Sequence, residues 1–260
     1  MSAFAPATGM LTAPRALINA LVQETVSGDG DALAVDALLA EVGAGSLAAP
    51  HPALAAALEP LRVPIIGVRL AKTGFLMPGW IGDGRFTLHV HRHPTGEDDQ
   101  LVTIPAGRML TFLLWLLDVG PRPRDPRPPE TVVPGEALNR AIAFRLGDRD
   151  SAGLLPPPLD DAIAHGFRDW WLASARWPAA GNRPGSFTLE VVDTDAGLWA
   201  LEQREDGTTV VRPVTPLRVM LALADLVPDR ELVDDTAPRL PLEDTPVLGG
   251  QVQWVGDALR

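Results

Sequence analysis

Three histidines alternate along one short run, His89-Val90-His91-Arg92-His93. On an extended strand, residues i, i+2 and i+4 share a face, so all three imidazoles project the same way. A His-x-His pair is a known zinc-chelating arrangement. Three such positions span about 13 Å of strand, too far for one ion. The chemistry on offer is therefore a neighbouring pair, His89 with His91, with Asp98 or Asp99 supplying a carboxylate from across a hairpin turn. The competing reading is a solvated histidine stripe opposite an apolar face of Phe86, Leu88 and Val90. Asp193-Thr194-Asp195 is a second carboxylate pair. Followed by Ala196-Gly197 it reads more simply as a hairpin turn, with Asp bonding its own backbone and Gly at positive φ.

Other catalytic signatures are absent from the sequence. There is no G-x-x-x-x-G-K loop, no G-x-G-x-x-G and no G-x-S-x-G elbow. With no cysteine and no tyrosine, thiolate and phenolic chemistry are excluded. His51, ahead of a proline at a helix start, and His165, within a helix, read as structural or solvated. The expectation is a protein that is not an enzyme and needs no cofactor, with a metal-binding module on His89 and His91 as the alternative.

The elements that would position these residues follow from composition and pattern. At 260 residues and 46% hydrophobic content the chain can bury a substantial core. A net charge of −11 repels phosphate backbones and anionic lipid, so neither nucleic acid nor a membrane is an expected partner. The longest purely apolar run, Phe112 to Leu117, falls far short of the roughly 20 residues that span a bilayer. Met1 to Ala20 lacks the basic-then-apolar order of a signal peptide, so the expected compartment is the cytoplasm.

The chain also resembles itself. Phe86-Thr87-Leu88-His89-Val90, a return strand and the apolar run ending at Asp118 are matched by Phe187-Thr188-Leu189-Glu190-Val191, a strand and the run ending at Asp225. This predicts two sheet-plus-helix halves, 1–120 and 135–260, joined by a proline-rich spacer over 121–134. The apolar helix after Pro105 is expected to be buried on more than one side. Helices are also read over Leu11 to Val26 and Leu159 to Arg176. The run Lys72 to Gly84 carries four glycines and Pro78, which argue for a loop, yet it also holds Phe75, Leu76, Met77, Trp80 and Ile81. An apolar loop either tucks under the core or offers a contact surface. The end, Val247 to Trp254, reads as a weak strand or strap.

Val191-Val192-Asp193-Thr194-Asp195-Ala196-Gly197-Leu198-Trp199-Ala200-Leu201, with Val211-Arg212-Pro213-Val214-Thr215-Pro216 and the closing helix, resembles the C-terminal half of the EspG family, cytosolic chaperones of type VII (ESX) secretion. Leu38-Leu39, His51-Pro52-Ala53-Leu54 and Val68-Arg69-Leu70 are similar to that family's first half. The likeness covers roughly residues 31 to 230. The family's amino-terminal strand has no counterpart in this reading. The resemblance implies an α+β fold, a central antiparallel sheet flanked by two helical layers, with halves related by a pseudo-two-fold. It implies no catalytic residues and a helical secreted client of the PE/PPE or WXG100 kind. The loop after Leu70 would then be a client contact through Phe75, Leu76, Met77, Trp80 and Ile81, on a monomer or weak homodimer. A structural assembly protein, using Trp170-Trp171 and the proline-rich run, is the further alternative.

Overall fold

The computed structural model describes residues 2–72, 75–91, 98–122, 130–147, 150–179, 184–228 and 233. His93, the proline-rich residues 123–129 and the segment Val247 to Trp254 lie outside them. In chain order the first half runs β1 (Ala3–Ala5), β2 (Met10–Pro14), α1 (Arg15–Ser27), α2 (Ala32–Glu41), α3 (Pro52–Arg62), β3 (Ile66–Lys72), β4 (Phe75–Gly82), β5 (Arg85–His91), β6 (Asp98–Pro105) and α4 (Met109–Leu116). The second half runs β7 (Thr131–Pro134), α5 (Gly135–Leu146), α6 (Leu159–Gly166), β8 (Phe167–Pro178), β9 (Pro184–Thr194), β10 (Gly197–Gln203), β11 (Thr208–Val214) and α7 (Pro216–Ala224).

All the strands join one antiparallel sheet, in the order β1-β2-β6-β5-β4-β3-β8-β9-β10-β11-β7. Within each half, four consecutive strands form a meander, and the strand that leads into that half's first helix pairs with the last of the four: β2 on β6, β7 on β11. The halves meet where β3 pairs with β8, from Gly67 opposite Arg176 to Lys72 opposite Trp171.

Strand alternation sends side chains to two apolar layers. On one face Val68, Leu70, Phe86, Leu88, Trp171, Ala173 and Val191 pack with Leu113 of α4 and Val219 and Leu223 of α7. On the other face Leu11, Trp80 and Leu101 pack under α1, α2 and α3, while Trp170, Leu172, Val192 and Trp199 pack under α5 and α6. The sheet is thus covered by helices on both faces, an α+β architecture.

Lys72, the sole lysine, sits at the end of β3. Its ammonium donates to the Leu116 carbonyl at 3.2 Å and pairs with Asp169 of β8 at 3.1 Å. One cation therefore caps α4 and ties the two central strands together.

Several sequence expectations are corrected. Lys72 to Gly84 is not a loop, because Phe75–Gly82 is β4, paired with β3 along its whole length. Pro78 is tolerated because pairing with β5 begins only at Gly79, so its missing N–H falls beyond that ladder. Leu159 to Arg176 is a helix only as far as Gly166; the rest belongs to β8. Trp170 and Trp171 point to opposite faces of that strand and are both essentially inaccessible. The amino-terminal strand absent from the sequence reading exists as Met10–Pro14, with Pro14 at the junction with α1. Residues 131–134 of the expected spacer form β7. Finally α4 is not buried on more than one side, since Trp115 is 74% exposed.

The two Phe-Thr-Leu runs do not occupy matching strands. Phe86 lies on β5, the third strand of its meander, and Phe187 on β9, the second of the other. The self-similarity seen in sequence is displaced by one strand.

Candidate functional site

The histidine pair lies on the face of β5 that looks toward α3, since Thr87 on that face donates to the Ala57 carbonyl at 2.8 Å. β6 returns beside it with Asp99 directly opposite His91. His89 Nε2 and His91 Nδ1 each lie 2.8 Å from the same atom, Asp99 Oδ2. The two rings are tilted, with centroids 4.6 Å apart. Arg15, the first residue of α1, reaches the same carboxylate, with Nε 3.1 Å from Oδ2 and 3.3 Å from Oδ1 and Nη2 3.3 Å from Oδ1.

Burial and hydrogen bonding bias the charge states in opposite senses. Asp99 is 0% and His89 2% exposed. Burial lowers the pKa of His89, against the opposing pull of its hydrogen bond to Asp99, and so favours the neutral ring. Burial alone would raise Asp99. Hydrogen bonds from Arg15, then His89, and the charge and hydrogen bond of His91 outweigh it, so the carboxylate is held below its usual range. His89 and His91 are therefore not a solvated pair. Asp99, rather than Asp98, is the carboxylate that completes the group. Sequence pattern offered His-x-His and a following Asp; Arg15, 84 residues earlier, carries no local signal.

The residues assigned to a client contact have another setting. Met77, Trp80 and Ile81 are at most 6% exposed. Met77 and Ile81 pack into the α4–α7 layer and Trp80 into the α1–α3 layer. Leu76 is half-buried against the α5–α6 layer, and the side chain of Phe75 is outside the described set. Apolar area is instead presented on α4 and α7, which pack against each other. Trp115 (74%), Leu217 (59%) and Leu221 (58%) are exposed there, with the Phe112 ring 5.9 Å from that of Trp115. The sequence signal for this surface was the same all-round apolarity of α4 that suggested burial.

The fold has a solved counterpart. The chain is similar to the Mycobacterium tuberculosis type VII secretion system chaperone EspG5, solved in complex with the PE25–PPE41 dimer. Sequence identity is 15%, the TM-score is 0.55, and the superposition covers 86% of this chain and 100% of that one. Protein-family models yield no match to the sequence, and neither does a search of curated proteins. At this identity the similarity is one of fold.

The remaining candidates are structural. Asp195-Ala196 is the turn between β9 and β10, with Gly197 at φ 138° and Thr194 Oγ1 donating to the Gly197 carbonyl at 3.0 Å. Asp193 is buried and accepts from Arg122 Nε at 2.9 Å and from Arg122 Nη2. Asp195 pairs separately with Arg168. His51 caps α3, its Nδ1 accepting from Ala53 N–H at 3.2 Å. No helix among the described residues is long and apolar enough to cross a membrane.

Proposed function

We propose that this chain is a cytoplasmic binding protein that holds a helical type VII secretion client, of the PE/PPE or WXG100-like kind, before export, and that it catalyses no reaction. The observation that carries the reading is the fold shared with EspG5 over most of both chains, in a complex that includes a PE–PPE pair. The exposed apolar side of α4 and α7 supports it. Contiguous apolar area on a soluble protein marks interaction sites, and Trp115 is the aromatic anchor such a contact needs. We also infer that the halves descend from one duplicated unit. Apart from β1, which precedes the first, both run strand, helices, four-stranded meander, helix, with the strand before the helices added to the meander's far edge.

On this reading β4 supports the client surface from beneath, through Met77 and Ile81 in the layer that α4 and α7 cover. The test is co-expression with PE–PPE and WXG100-like pairs encoded in the same genome, followed by size-exclusion chromatography with light scattering. A stoichiometric complex is expected, lost in Trp115→Glu and Leu221→Glu variants that retain the fold. Absence of a complex with every such pair would overturn the proposal, and a complex indifferent to both substitutions would overturn the surface.

A further inference from the structure

We infer that His89, His91 and Asp99 form a binding site for a zinc-class divalent transition metal, and that the Arg15 guanidinium is its built-in competitor. The site is independent of the client surface, which lies on the opposite face of the sheet.

The ligand set is the first argument. His89 Nε2, His91 Nδ1 and a carboxylate oxygen of Asp99 all lie within 4.8 Å of one another. Two imidazole nitrogens and one carboxylate are donors that suit zinc, cobalt, nickel and iron over calcium or magnesium, and three protein ligands leave a coordination position open. The His–Asp separations are close to what coordination requires, and the two ring nitrogens, within 4.8 Å of each other, close on the same ion. Metal–ligand bonds of about 2.0–2.1 Å at tetrahedral angles put donor atoms about 3.3 Å apart. Each His–Asp contact, now 2.8 Å, needs to open by about half an ångström to admit the ion.

Preorganisation is the second. The donors come from adjacent strands of one ladder, with His91 and Asp99 in register and His89 two residues along. Backbone pairing fixes their spacing before any ion arrives. Binding requires the facing nitrogens to present lone pairs, so each imidazole proton moves to its other ring nitrogen.

Arg15 supplies the third argument. A fully buried carboxylate needs a cation partner, and in this state the guanidinium provides it through three hydrogen bonds. Yet the Arg15 side chain is 37% exposed, so it can withdraw toward solvent when a metal takes over that charge. Metal and guanidinium thus compete for one carboxylate.

Tag-free protein, stripped with a chelator, is titrated with Co²⁺ and monitored in the visible, then back-titrated with Zn²⁺. The expected result is one equivalent of Co²⁺ with ligand-field bands typical of low coordination, displaced by Zn²⁺ and abolished in His91→Asn. His91 is on the rim of the cluster, and circular dichroism verifies the fold of that variant. Arg15→Gln should tighten Co²⁺ binding by about fivefold, the worth of a part-exposed ion pair. Bands that persist in His91→Asn would mean an adventitious site elsewhere and overturn the assignment. So would the lack of bands at millimolar Co²⁺ in both wild type and Arg15→Gln. Weaker binding by Arg15→Gln would overturn the competition.

Discussion

Replacing Gly79 by alanine tests why a Pro-Gly segment can be a strand. Gly79 lies on β4 directly opposite Leu88 of β5. A Cβ built there would sit 2.8 Å from Phe86 Cε2, 3.0 Å from Leu88 Cδ1 and 3.2 Å from Phe86 Cζ. Ordinary carbon–carbon contacts are about 3.5–4.0 Å, so the overlap is severe. Phe86 and Leu88 are both fully buried and cannot retreat into water. Overpacking of this kind costs about 1–3 kcal/mol. It is partly offset by about 0.4–1 kcal/mol, because alanine restricts the unfolded chain. The net expectation is a loss of about 1–2 kcal/mol, a fall in Tm of about 3–6 °C. Urea unfolding followed by tryptophan fluorescence measures it. If the Phe86 ring is the obstacle, Gly79→Ala combined with Phe86→Leu should be less damaging than the two changes summed, by about 1 kcal/mol. A Gly79→Ala protein as stable as the parent, or strict additivity in the double variant, would refute the argument that the ring occupies the glycine's missing side chain.

Two further outcomes follow from buried polar groups. Arg122→Ala leaves the Asp193 carboxylate buried without its cation and should cost about 3–5 kcal/mol, whereas replacing both partners by Met and Leu should recover most of the loss in the same assay. Glu190→Leu removes the acceptor, 2.8 Å away, of the buried Trp170 indole N–H and should cost about 1–3 kcal/mol, with Glu190→Gln retaining an acceptor and losing clearly less in thermal melts.

The parts of the fold legible in sequence were those with one apolar and one polar face. Phe86, Leu88 and Val90 alternate with polar positions, and β5 is read from that alone. Asp31 announces α2, and its carboxylate accepts from Ala34 N–H at 3.0 Å. Misreadings fell where both faces are apolar. In β8, Trp170-Trp171-Leu172-Ala173 is continuously apolar because helices lie above and below, and without alternation a buried strand and a buried helix look alike. β4 was hidden by Pro78 and Gly79, whose tolerance depends on a neighbouring ladder that starts one residue late and on a ring that fills the glycine. At the histidine cluster, local pattern named His89 and His91 and narrowed the carboxylate to two. The choice of Asp99 and the arrival of Arg15 came from strand register and helix placement, which a single stretch of sequence does not encode.

The central ladder has a consequence for biosynthesis. β3 and β8 are about a hundred residues apart in the chain, yet each is the innermost strand of its half and lacks a second neighbour until the other arrives. A ribosome that has released only the amino-terminal half leaves Val68 and Leu70 on a bare, greasy edge, the kind of edge that recruits foreign strands. Neither half is safe alone. A nick or premature stop between them should yield inclusion bodies rather than a working fragment.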